Sequence, residues 1–214
     1  MTKNKRDDDQ KVGGRNKLII LNAAEKAFAQ NGFKGTSVQQ IADAAKLPKT
    51  NVLYYFKTKQ DLYTSVLKRT MKLWNSRFDL ASPDDDPAET LAAYISEKME
   101  ISRTHPLSSK IFAMEIINGG PNLDGYFDEE HLQWMTQRVR VIEQWIAAGK
   151  MKNVDAHYLL FQIWASTQHY ADFSTQITRL RDKKMQKADF EKATQHLIDV
   201  ILTGCGLQVP AQYK

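Results

Sequence analysis

The chain has 214 residues, 42% of them hydrophobic and 26% charged, with a formal net charge of +5. That is enough apolar material for a real core, which excludes wholesale disorder. A single cysteine, Cys205, excludes an intrachain disulfide and a cysteine-rich metal site, and suits a reducing cytoplasm.

No run of 18 apolar residues occurs, so no membrane span is expected, and the polar N-terminus predicts no secretory signal. The charge is unevenly placed. Residues 1–80 hold 16 Lys and Arg against 7 Asp and Glu, whereas residues 81–214 hold 14 against 18. A basic first third on an acidic remainder suits a head that meets a polyanion, with clustering on a solvated surface as the plain alternative.

Residues 1–14 read as a flexible polar arm ending in Gly13-Gly14. From Arg15 to Gln30, Ile20, Ala24, Ala27 and Phe28 lie on one helical face, and Asn31-Gly32 stops the helix. Ser37 and Gln40 have capping-box spacing and open a second helix that runs to about Ala45. Lys46-Leu47-Pro48 breaks it, and a short helix follows from Lys49 to about Phe56.

Thr58 and Asp61 then open a long helix with Tyr63, Leu67, Met71, Trp74 and Phe78 along one stripe. Beyond the loop Ser82–Pro87, helices are expected at about 88–104, 107–118, 124–148, 155–177 and 186–203. The fold class is all-α, with about nine helices. A helix-turn-helix head spans 15–62 and a helical body 63–214.

Two short helices that cross steeply need small residues where they touch and apolar residues facing a shared core. Ile41, Ala42 and Ala45 supply the first inner face, Leu47 plugs the turn, and Val52, Tyr55 and Phe56 face inward from the second. The opposite face carries Lys49, Thr50, Asn51 and Tyr54. These are donors, acceptors and an aromatic, suited to phosphates and base edges in a major groove. Gln39 is placed to reach a base edge or solvent. Arg15, Ser37 and Lys59 fit phosphate or helix-end contacts.

The segments Phe33-x-Gly35-Thr36-Ser37, Ile41-Ala42-x-x-Ala45 and Tyr55-Phe56-x-x-Lys59-x-x-Leu62 resemble the TetR-type repressor signature over about residues 15–65. The resemblance implies double-stranded DNA as partner, with a body that dimerises and binds a small effector, and no enzymatic activity. Within that family, Lys49-Thr50-Asn51-x-Leu53-Tyr54-Tyr55-Phe56 and the run Trp164 to Phe173 resemble the pyrimidine-utilisation regulators, which implies uracil or thymine as effector.

Three positions depart from the family pattern. Lys46 stands where the turn usually has Gly, so either the turn differs or the lysine serves a phosphate contact. Pro48 replaces an N-cap Ser, and Leu53 replaces a Tyr that touches the DNA backbone.

In the body, Trp74, Phe112, Met114, Trp145, Trp164, Tyr170 and Phe173 read mostly as core. Trp164 and Gln168 differ, being i, i+4 on one face with Phe161 nearby. An amide in an aromatic wall needs a partner or costs about 1–3 kcal/mol. Trp74, Phe161, Trp164 and Gln168 are therefore the candidate ligand-binding residues.

His169 and Asp172 lack a nucleophile, a phosphate loop or metal-ligand spacing around them, so catalysis, metal and cofactor are not expected. Cys205 reads as an inert thiol. The stripe Phe190, Ala193, Leu197 and Ile201 is the expected homodimer face. Two other functions stay open: a ligand-independent DNA-binding protein, and a helical binding protein or enzyme that keeps the head as a structural module.

Overall fold

The computed structural model describes residues 3–74, 78–123 and 129–213, with side chains from 13–74, 78–123 and 132–213. The described residues form ten α-helices: α1 (Lys3–Gly35), α2 (Val38–Ala45), α3 (Lys49–Tyr55), α4 (Lys59–Trp74), α5 (Pro87–Thr104), α6 (Pro106–Ile117), α7 (Glu129–Ala147), α8 (Ala156–Asp172), α9 (Ser174–Arg181) and α10 (Lys187–Gly204), with no strand among them.

Two expectations are corrected here. Residues 3–14 are helical and belong to α1. A glycine costs a helix only about 1 kcal/mol relative to alanine, so propagation from the strong segment beyond Arg15 carries through Gly13-Gly14. The single helix expected over 155–177 is two, parted at Phe173 (φ −105°, ψ 22°), where neither Gly nor Pro announces a break.

The chain forms two compact units, residues 1–71 with 110–123 and residues 72–109 with 124–214. The first is larger than the expected head, because 63–71 and 110–123 group with it. A buried polar cluster accounts for this. Tyr63 Oη donates to Glu115 Oε2 (3.0 Å), and the Asn122 backbone N–H and Nδ2 donate to the same carboxylate (2.6 and 3.0 Å). Burial and the adjacent carboxylate hold the Tyr63 phenol well above its ordinary range. The core of this unit joins Ile20, Ala24 and Phe28 of α1, Ile41 and Ala42 of α2, Val52 of α3 and Leu62 and Leu67 of α4, all buried.

In the second unit α5 packs against α8 and α10. Leu91, Tyr94, Ile95, Met99, Ile142, Trp145, Leu160, Ile163, Ile198 and Leu202 make one core. Phe190, Ala193 and Leu197 pack against it and Ile201 is buried in it, so the stripe expected to await a second subunit faces its own core. An amphipathic stripe shows that a helix has a partner, not which chain supplies it.

The link from α4 to α5 is fastened by α7 and the residues just after it. Arg138 Nη1 donates to the carbonyls of Phe78, Asp79 and Ala81, and Lys150 Nζ to those of Pro83, Asp84 and Asp85. Among the described residues no helix is long and apolar enough to cross a membrane.

Candidate DNA-binding face and effector site

The head is assembled by local hydrogen bonds that the sequence largely specifies. Ser37 Oγ accepts from Gln40 N (3.1 Å) while Gln40 Oε1 accepts from Ser37 N (2.7 Å), a complete capping box for α2. Thr58 and Asp61 make the same reciprocal pair at α4. Between α2 and α3, Lys46 adopts the left-handed conformation (φ 54°, ψ 40°), and Leu47 N–H donates to the Ala42 carbonyl (3.1 Å). Lys46 thus keeps the turn that glycine would make, at a cost of about 1–2 kcal/mol, with its side chain exposed. Ala42 is fully buried, as steep packing of α2 against α3 requires.

On α3, Val52 is buried and Tyr55 half-buried, while Lys49, Thr50 and Tyr54 are exposed and Asn51 is half-exposed. Tyr54 is 81% exposed and stands edge-on to Tyr55 at 5.2 Å. Leu53 is also exposed, an apolar group on a polar face. Pro48 opens α3 without a side-chain cap. Arg15 and Ser37 are exposed, and Gln39 is exposed with its amide donating to Asp43 Oδ1 (2.8 Å).

Lys59 takes the helix-end role. Its ammonium donates to the carbonyls of Phe33 and Thr36 (both 2.9 Å) and lies 4.4 Å from the Phe33 ring centroid. Both carbonyls lie in the last residues of α1 and just beyond it, after the kink at the non-helical Gly32, where helix-end carbonyls lack a full set of intrahelical partners.

The second unit holds an aromatic cluster around a buried lysine. Lys98 of α5 is 6% exposed, and its Nζ lies 5.2 Å from the Trp74 ring and 5.5 Å from the Tyr94 ring. Tyr94 Oη accepts a hydrogen bond from Trp164 Nε1 (2.7 Å). Trp164 in turn neighbours Phe161 (5.7 Å) and Trp134 (6.3 Å), and Trp134 Nε1 donates to Asp79 Oδ1 (2.5 Å). Burial pushes Lys98 down to about 7, while Glu97 and Asp79 pull it back up. Burial likewise holds the Tyr94 phenol far above its usual range.

Of the four expected ligand residues, Trp74 and Trp164 are thereby linked through Lys98 and Tyr94. Phe161 borders Trp164 and is half-exposed. Gln168 sits one turn beyond Trp164, half-buried, with no hydrogen-bond partner among the described residues. Lys98, Tyr94, Trp134 and Asp79 were missed by sequence reasoning. The i, i+4 spacing of Tyr94 and Lys98 was the available signal, but a lysine on a helix reads as solvated.

Trp145 is fully buried core. His169 stacks on Phe173 (4.9 Å), while Asp172 accepts from Ser109 Oγ (2.5 Å). The Cys205 thiol is raised by burial, although Lys152 acts on it in the opposite sense, a basic neighbour the sequence did not reveal.

Residues 20–66 match the family described as bacterial regulatory proteins, tetR family, and residues 67–208 match the YcdC-like protein C-terminal region. The HTH-type transcriptional regulator RutR of Escherichia coli K12 is 35% identical over 189 residues, covering 88% of this chain and 89% of the relative. The HTH-type regulator YhgD of Bacillus subtilis is 26% identical, covering 68% and 76%. The ketosteroid transcriptional regulator KstR2 of Mycobacterium tuberculosis has the same fold, with a TM-score of 0.66 at 19% identity, covering 88% and 93%. With its head and body both matched, the chain belongs to the TetR family of transcriptional regulators, which are not enzymes.

Proposed function

We propose that the protein is a ligand-responsive repressor that binds a pseudo-palindromic operator as a homodimer and senses a small planar molecule, uracil or thymine first. The cluster of Trp74, Lys98, Tyr94 and Trp164 carries the sensing half of this reading. A pyrimidine offers a flat apolar face and a rim of alternating donors and acceptors. Indoles suit the face, and the Gln168 amide, which can donate and accept, suits the rim. The kinship to RutR and the run Trp164 to Phe173 support the same choice.

Calorimetry with uracil and thymine tests it. Either ligand is expected to bind at millimolar concentration or below. Gln168→Ala is expected to weaken binding about tenfold, the loss of one net hydrogen bond of about 1.4 kcal/mol. Absence of binding by both ligands, or an unchanged affinity in the variant, removes the pyrimidine assignment and leaves DNA binding in place.

The DNA half rests on α3, with Lys49, Thr50, Asn51 and Tyr54 turned outward. Arg15, Ser37, Gln39 and Lys46 are exposed around it, and Lys59 is engaged within the head. Dimerisation is supported by exposed apolar groups on the last helices, among them Tyr158, Leu180 and Val200. Light scattering across a concentration series is expected to give twice the 24.5 kDa chain mass. Half-site centres are expected about 34–36 Å apart, or a multiple of that. A concentration-independent monomer contradicts this arrangement.

A further inference from the structure

A charged side chain inside an apolar core needs an ion partner or a full set of acceptors, because burial removes the water that otherwise stabilises it. Among the described residues Lys98 makes no hydrogen bond or ion pair, and its ammonium lies over the faces of Trp74 and Tyr94. Ring faces stabilise a cation, but they leave all three N–H donors unmatched.

Arg138, the other buried cation among the described residues, donates through Nη1 to three backbone carbonyls, while its Nε has no partner there. Among the described residues the charged groups that act on Lys98 are Glu97 on its own helix and Asp79 after α4. From α8 the cluster receives the indole of Trp164, which is neutral. The Asp79 carboxylate is already engaged by Trp134. A set of unmatched donors is thus held between aromatic faces, beside residues that suit a flat ring.

We propose that Lys98 sets the class of effector: a flat ring whose rim presents a carbonyl or anionic oxygen to the Lys98 ammonium. The inference rests on the effector site lying at this cluster, and it adds what the ring must carry. A ring without an exocyclic oxygen gains nothing from Lys98. Binding an acceptor favours the protonated amine, so the complex takes up a proton that the free protein partly lacks near neutral pH. Affinity is then flat below about pH 6 and falls as pH rises above 7.

The test compares the full-length protein with Lys98→Met, which keeps the stem and removes the donors. Lys98→Gln is the substitute should the first variant lose its helical circular-dichroism spectrum. The probes are uracil, thymine, benzoate and unsubstituted pyrimidine, followed by thermal shift and calorimetry from pH 6 to 8.5.

The expected result is uracil or thymine binding that weakens about tenfold or more across that range in the wild type, the effect of deprotonating one essential group. The variant is expected to bind at least tenfold more weakly at pH 6, with a flat pH profile. Pyrimidine should not distinguish the two proteins. If uracil or thymine binds both equally, Lys98 has no such role and the pyrimidine reading survives. If neither binds but benzoate binds the wild type over the variant, Lys98 keeps its role and the pyrimidine reading falls. If neither uracil nor thymine binds and benzoate does not prefer the wild type, both fall.

Discussion

A chain carrying Lys49→Ala, Asn51→Ala and Tyr54→Ala together is expected to fold normally and to bind operator DNA at least about 100-fold more weakly. None of the three side chains is buried, so their removal opens no cavity, and surface truncations of this kind usually change stability by less than about 0.5 kcal/mol each. On DNA the same groups act together. Each base or phosphate contact is worth about 1–3 kcal/mol, so losing three, even with partial redundancy, exceeds the 2.7 kcal/mol that corresponds to about 100-fold. Lys49→Ala alone should also flatten the dependence of log affinity on log salt by about one unit per half-site, if its ammonium neutralises one phosphate. Fluorescence anisotropy with a selected operator at several salt concentrations measures both quantities. Unchanged affinity in the triple variant would falsify α3 as the recognition helix.

The second large effect concerns stability and needs no ligand. Lys98→Met is expected to raise the melting temperature below pH 7 and to lose that advantage as the solution becomes alkaline. Burial lowers the Lys98 amine from 10.5 to about 7 in the folded protein, so between those values the unfolded chain binds the extra proton. The native state therefore bears the full penalty below pH 7, and the penalty is relieved as pH rises toward 10.5. A shift of that size corresponds to about 3–5 kcal/mol, on the order of 10 °C in a domain of this size. Methionine has no charge to desolvate and fills the space of the stem. Thermal melts of both proteins at pH 6, 8 and 10 read the difference, and a constant gap across the three would mean that Lys98 titrates normally.

How far the sequence could be read depended on whether an interaction is local. The Ser37–Gln40 and Thr58–Asp61 caps, the break at Gly32 and the inward Ile41, Ala42 and Val52 are fixed by neighbours within a few residues, and the structure forms them as expected. Lys98 was invisible because its burial depends on Trp74 from α4 and Tyr94 one turn away, and periodicity cannot report a tertiary partner. The stripe Phe190, Ala193, Leu197 packs partly against its own core, which the sequence could not report because an apolar face is the same whether its own core or a second chain covers it. Gln168 and Trp164 share a face as read, but the hydrogen bond from Trp164 to Tyr94 spans 70 positions and lies outside any local pattern.

The position of Lys59 separates two things that a charge count merges. Its ammonium is held by the carbonyls of Phe33 and Thr36, which are neutral dipoles, so its full positive charge still reaches into solvent. Arg69, by contrast, meets the carboxylate of Glu25 at 3.1 Å, and its charge is cancelled at short range. A polyanion approaching the head is drawn by every uncancelled charge within about a Debye length, roughly 8–10 Å, whatever hydrogen bonds that charge already makes. Lys59 therefore contributes to how often the head and DNA meet. The side chains turned outward on α3 govern how long they stay together, so the two groups of residues belong to different rate constants of one equilibrium.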